Sequence, residues 1–157
     1  MSRKLRHAFG HFATGVTVIT CRDAAGVPVG MTANSFSSLS LDPPLVLWSL
    51  AKTSSNYAAF VAAPNFCVHV LGEEQQALAG QFAVKDADRF AGVSVSNGQG
   101  EVPIISGSHA HFECATHALY DGGDHTIIVG RVLETHTAEA VPLLFHCGKF
   151  AKVAALG

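Results

Sequence analysis

Two periodicities divide this chain. Leu5, Ala8, Phe9 and Phe12 recur at helical spacing and predict a short amphipathic helix over 5–14 that Gly15 stops. From Val16 the period becomes that of a strand. Val16-Thr-Val-Ile-Thr-Cys21 is dense in β-branched residues, and Asp23-Ala-Ala-Gly26 turns it into a second strand over 27–32, a hairpin. A polar stretch over 34–42 and the pair Pro43-Pro44 precede Leu45-Val-Leu-Trp-Ser-Leu50, whose almost unbroken apolar character predicts a central strand buried on both faces.

Thr53 or Ser54 is placed to cap a helix running to Ala62, which Pro64-Asn65 ends before a strand over 66–71. Another helix is predicted over 73–83, with Leu78 and Phe82 four apart, whereas 85–107, rich in Gly, Ser, Asp and Asn, reads mostly as loop able to lie over a site. Strands follow over 110–119, 126–135 and 143–150, joined through Gly122-Gly123 and 138–142. Strands linked mostly by short turns predict a mainly β, antiparallel barrel or sandwich with a few short helices. The βα alternation of a doubly wound sheet and the Gly-rich phosphate loops are missing. No repeat or linker interrupts the pattern, so 1–157 is expected to form one domain.

Composition narrows the classes. With 157 residues, 48% hydrophobic and 14% charged, the chain is too apolar to remain disordered. Its 10 Lys+Arg against 12 Asp+Glu leave no basic surplus for a phosphate backbone, which argues against a nucleic-acid partner. No apolar run reaches the roughly 20 residues that cross a bilayer. Met1-Ser-Arg-Lys-Leu-Arg-His7 opens no signal-peptide core, so no membrane partner and a cytoplasmic location are expected. Cys21, Cys67, Cys114 and Cys147 stand far apart within apolar stretches and read as buried free thiols rather than a zinc or redox pair.

Candidate chemistry gathers in three polar clusters. In Gly30-Met-Thr-Ala-Asn-Ser-Phe-Ser-Ser-Leu-Ser40, the residues Thr32, Ala33, Asn34 and Ser35 combine hydroxyl and amide groups with small side chains. That pattern lets backbone groups approach a flat polar heterocycle, and it equally describes a loop capping its own backbone. In Ser49-Leu-Ala-Lys-Thr-Ser-Ser-Asn56, Lys52 and the hydroxyls of Thr53, Ser54 and Ser55 sit at a predicted helix start, the pattern of a phosphate site or of plain N-capping. In Tyr120-Asp-Gly-Gly-Asp-His125 a glycine turn sets His125 at a strand mouth, within reach of a ligand or simply solvated. His109, His111 and Glu113 share one strand face by period two. Nothing else fixes a ligand geometry there, so no metal site is expected and the face reads as wet.

Five strings in order tie these clusters together: Phe12-Ala-Thr-Gly-Val-Thr-Val-Ile-Thr20, Gly30-Met-Thr-Ala-Asn-Ser-Phe36, Leu41-Asp-Pro-Pro-Leu45, Arg89-Phe-Ala-Gly92 and Gly123-Asp-His125. Over nearly its whole length the chain resembles the flavin reductase family of the FMN-binding split barrel. The resemblance implies a Greek-key split barrel working as a homodimer, with FMN or FAD near the subunit interface and NADH or NADPH as hydride donor. It implies that Thr32, Ala33, Asn34 and Ser35 line the isoalloxazine and ribityl chain and that Lys52, Ser54 and Ser55 hold the phosphate, Ser49 and Leu50 standing beside them. Phe82 matches a position near the flavin, and His125, expected to be the catalytic residue that anchors the nicotinamide and supplies a proton to the reduced flavin, matches a motif associated with nicotinamide binding.

The function so implied is an NAD(P)H:flavin oxidoreductase that aligns nicotinamide and flavin and supplies reduced flavin to a flavin-dependent monooxygenase. The alternatives are a non-catalytic flavin- or haem-binding protein and a flavoprotein that reduces ferric iron or a cobalt corrinoid. The chain departs from the family pattern at several places: His69 stands for a frequent asparagine, Lys52-Thr53 for a pair of arginines, Lys149 for another arginine, and Cys147 and Phe150 for an arginine and a tyrosine. These changes leave NADH and NADPH both open, because a 2′-phosphate is normally answered by arginine.

Overall fold

β-branched and aromatic runs become strands, as their propensity dictates, and tight turns pair them with their sequence neighbours. The computed structural model describes residues 2–157. Its elements are α1 (Ser2–Gly10), β1 (Thr14–Gly15), β2 (Thr17–Arg22), β3 (Pro28–Ala33), β4 (Ser37–Leu41), β5 (Pro44–Ala51), α2 (Tyr57–Ala62) and β6 (Asn65–Val70). A 3-10 turn at Glu73–Gln75 then leads into α3 (Gln76–Gln81), followed by β7 (Val95–Asn97), β8 (Pro103–Ile105), β9 (Ala110–Gly122), β10 (His125–Thr137), β11 (Leu144–His146) and β12 (Lys149–Ala151). Seven strands form one sheet in the order β3-β2-β6-β9-β10-β5-β4, while β1-β11-β12 and β7-β8 form smaller sheets. All pairings among the described residues are antiparallel. The turn at Gly123, whose φ of +79° suits glycine, folds β10 back on β9 and sets His125 opposite both Gly122 and Ala51.

Several expectations shift. β5 is not central and not buried on both faces: it lies next to the edge strand β4, and only Val46, Trp48 and Leu50 are buried along it. The strands covered on both sides are β2 and its neighbour β6. Ile19 and Cys21 join Trp48, Phe60, Phe66 and Ile128 in one core, while Val18 joins Leu71, Ala79, Phe82 and Ile105 in a second. β4 arises inside the stretch expected to be polar loop. An edge strand needs no apolar face, so its serines concealed it. The helix expected over 5–14 runs instead over Ser2–Gly10 and buries no residue, because Thr14 and Gly15 are held in pairing with β11. α2 starts at Tyr57 rather than at Thr53 or Ser54. The strand expected over 143–150 is a hairpin, β11 and β12, folded at Cys147 and Gly148.

His69 ties β6 to β2 and β8 beside the second core. Its Nδ1–H donates to the Val18 carbonyl (3.0 Å) and its Nε2 accepts from the Ile105 N–H (3.0 Å), an arrangement that only the neutral ring satisfies. Burial, opposed by the Val18 bond and aided by His111, pushes its pKa from 6.5 down to about 4. Below pH 6.5 the unfolded chain therefore takes up a proton that the native state refuses. Stability should fall as pH drops from 6.5 to about 4, by about 3 kcal/mol in all. Urea midpoints measured across that window should fall steeply for this protein and much less for His69→Asn; parallel slopes would show that His69 does not carry the effect.

Candidate functional site

An exposed strand edge invites a partner, and here the chain supplies its own. β3 lies at the sheet edge and is covered by the segment following α3. The Thr32 N–H donates to Phe82 O (3.2 Å), the Thr32 hydroxyl to Ala79 O (2.6 Å), and the Arg89 Nη1 to Gly30 O (2.9 Å). Arg89 Nε also donates to Val84 O (2.8 Å), so one guanidinium holds the 82–89 lip both to itself and to β3. Beneath the lip the Phe82 ring meets Phe90 edge-on at 5.0 Å. Gly30 makes room for both rings, since a Cβ there would lie 2.6 Å from Phe82 Cε1 and 3.1 Å from Phe90 Cζ.

Between this lip, β3 and the β5–α2 connection lies a cavity of about 350 Å³ lined by Thr32, Thr53, Ser54, Ser55, Phe82 and Arg89, among others. A second cavity of about 340 Å³ shares Thr32 and Ala83 with it and adds Ala33, Asn34, Phe145 and Phe150. Each falls in the size range of small-molecule sites, roughly 300–1,000 Å³.

The residues singled out in the sequence divide among these places. Thr32, Ser54, Ser55 and Phe82 meet at the first cavity; Ala33 and Asn34 line the second. Ser35 is committed to β5, its hydroxyl accepting from the Ser49 N–H (2.9 Å) and donating to the Ser49 carbonyl (3.1 Å). The Leu50 side chain is fully buried in the core, which leaves its backbone alone for any ligand. Lys52 stands outside the cavity lining. Its ammonium pairs with Asp121 and its N–H donates to Asp124 O (2.9 Å). The Asp121 bond raises the Lys52 pKa and lowers that of Asp121. Because α2 begins only at Tyr57, the hydroxyls of Thr53, Ser54 and Ser55 stand on a turn in which Ser54 Oγ accepts from the Asn56 N–H (3.1 Å).

His125 is half-exposed and lines neither of these two cavities. Its Nδ1–H donates to Asp124 Oδ1 (2.7 Å), a bond that lowers the Asp124 pKa, and its register partner Ala51 lines the first cavity. Arg89 lies in the Arg89-Phe-Ala-Gly92 string, and the sequence signal for it is that it is the one arginine in the 85–107 loop. The face carrying His111 and Glu113 is covered rather than wet: they are 9% and 6% exposed, and Glu113 Oε2 accepts from the Gln99 N–H (2.6 Å). His109 lies just before that strand and pairs with Glu74. Cys21, Cys67 and Cys114 are buried, and burial pushes all three thiols up, Cys21 and Cys114 to about 12. Cys147, expected to be buried, is exposed.

An antiparallel sheet with a lipped, hydroxyl- and arginine-lined cavity at one edge defines a small-molecule-binding β protein, and the chain belongs to the flavin reductase like domain family, whose model matches residues 9–154. It is 47% identical over 151 residues to the FMN reductase (NADH) SmoA of Agrobacterium fabrum, covering 96% of this chain and 86% of that one. It is 44% identical over 152 residues to HsaB of Rhodococcus jostii, the reductase subunit of a flavin-dependent monooxygenase, covering 96% and 77%. The solved NADH:FAD oxidoreductase SgcE6 of Streptomyces globisporus, in complex with NAD and FAD fragments, superposes with a TM-score of 0.91 at 42% identity, covering 98% of this chain and 93% of that one. Some relatives are longer, and the chain spans 42% and 53% of two of them. No helix among the described residues is long and apolar enough to cross a membrane.

Proposed function

We propose that this protein is an NADH-dependent flavin reductase that delivers reduced flavin to a flavin-dependent monooxygenase. The observation that carries the reading is the pair of adjoining cavities meeting at Thr32 and Ala83, one lined by hydroxyls with the cations of Arg89 and Lys85 and the carboxylate of Asp86, the other by small and aromatic residues. That donor set fits a flavin nucleotide: charged and neutral donors suit a phosphate, and small side chains suit a flat ring. The names of the relatives, two of which specify NADH, support it.

When bound, flavin supplies the two-electron acceptor and nicotinamide the donor. The chain's own residues bind and orient. Ser54, Ser55 and Arg89 hold the phosphate, with Lys52 adding longer-range attraction from beside Asp121. Thr32, Ala33, Asn34 and the Ser35 backbone flank the ring, Ser49 and Leu50 support it from behind, and Phe82 forms the floor. Asp124 keeps the proton of His125 on Nδ1, so that Nε2 is free to accept from a carboxamide. The seven-stranded sheet is read as a Greek-key split barrel forming one domain and pairing as a homodimer. Phe9 and Phe12, 69% and 79% exposed, support a covered face there.

Anaerobic mixing with NADH and FMN or FAD should bleach the flavin absorbance catalytically; binding without bleaching would instead identify a flavin-storage protein. His125→Ala should raise the KM for NADH about 3- to 10-fold, the worth of one lost hydrogen bond, while the flavin Kd stays put. Unaltered steady-state kinetics would remove His125 from the site.

A further inference from the structure

The spacing of the cysteines in the sequence argues against a zinc site, yet the fold assembles one set of ligands from the two ends of the chain. His7 lies in α1 and His11 one turn further on, and the β11–β12 turn brings His146 and Cys147 against them. Cys147 Sγ lies 3.5 Å from His146 Nε2 and 3.9 Å from His11 Nδ1, and one ligand atom from each of the three residues lies within 4.8 Å of the others. A tetrahedral zinc ion, with Zn–S about 2.3 Å and Zn–N about 2.0–2.1 Å, sets sulfur and nitrogen about 3.6 Å apart. The spacing already present matches that edge.

We propose that His11, His146 and Cys147 form a zinc-binding site that clamps the N-terminal helix to the C-terminal hairpin. All three are exposed in the single chain. The backbone prepares the site: the Cys147 N–H donates to Gly10 O (2.8 Å), and Cys147 holds a left-handed φ of +48°, a conformation side chains other than Asn, Asp or His seldom adopt. A thiolate with two imidazoles selects zinc over magnesium or calcium. The fourth position falls to water or to His7, whose ring stands edge-on to His11 at 5.0 Å. Binding requires Cys147 as thiolate and so releases its proton. The clamp fixes α1, which buries no residue, to the hairpin whose Phe145 and Phe150 line the second cavity.

The test uses the full chain stripped of metal. Titrated with Co²⁺, it should take up one equivalent and show a thiolate-to-cobalt charge-transfer band with tetrahedral ligand-field bands, both abolished by added Zn²⁺. Cys147→Ser should lose the charge-transfer band and bind about 100-fold more weakly or worse, because the thiolate is the one anionic ligand. His11→Ala and His146→Ala should weaken binding in the same direction. Zn²⁺ should raise the Tm of the wild type and leave that of Cys147→Ser unchanged, while equal flavin affinity of the two metal-free proteins shows that the variant is folded. Absence of stoichiometric uptake, or equal affinity in Cys147→Ser, would overturn the site and leave only a chance cluster of surface histidines.

Discussion

Arg89→Ala is expected to weaken FMN or FAD binding about 10- to 100-fold, the equivalent of a charge-assisted hydrogen bond worth about 1.5–3 kcal/mol. Arg89 serves twice. Its Nε and Nη1 secure Val84 O and Gly30 O, which leaves the rest of the guanidinium to face the cavity. Alanine would remove one of the two cations that line the cavity, Lys85 being the other, and strand two carbonyls at the β3 edge, loosening the lip as well. Arg89→Lys keeps the charge but loses the fork that spans both carbonyls, so it should recover part of the affinity and little of the lip's rigidity. Lys52→Ala should shift the same Kd far less, because that ammonium is exposed and already paired with Asp121. Flavin fluorescence titration reads all three. Equal Kd values for wild type and Arg89→Ala would take Arg89 out of the site.

Phe82→Ala is expected to cost about 3–5 kcal/mol of stability, the range for emptying a buried aromatic position. Phe82 is 0% exposed, packs with Val16, Val18, Leu71 and Ile105, and meets Phe90 edge-on at 5.0 Å. Its backbone also bonds to β3 through the Thr32 N–H, so the ring and the cavity floor sink together. Urea unfolding should show a lower midpoint, and flavin binding should weaken in parallel. Phe82→Leu, which refills most of the volume, should lose much less of both. An unshifted midpoint for the alanine variant would mean that the ring is not part of the second core.

How much of this was legible depended on the range of the interaction. The hairpin of β2 and β3 and the Gly122-Gly123 turn were written in neighbouring residues, and both stand in the structure. The apolar run of β5 predicts a central strand, yet such a run shows only that side chains want cover, not which neighbours provide it. β4 leaves no trace in the pattern for the converse reason, since an edge strand with an exposed face carries no apolar signature. Thr32, Ser54 and Ser55 stand out by residue type and Phe82 by family resemblance, and the four meet at the first cavity. Arg89 joins them only because the lip folds across 59 residues onto Gly30.

Periodicity, turn chemistry and charge count by themselves determined a mainly β chain, the positions of most strands and the segments able to carry chemistry. Those properties are set by steric and hydrogen-bonding rules acting over a few residues. Tertiary structure alone decided which faces were covered, that His69 is neutral between β2 and β8, that Lys52 turns to Asp121, and that His11 and Cys147, 136 residues apart, share one place. Burial and long-range pairing belong to the packed molecule, where each group's surroundings come from distant parts of the chain.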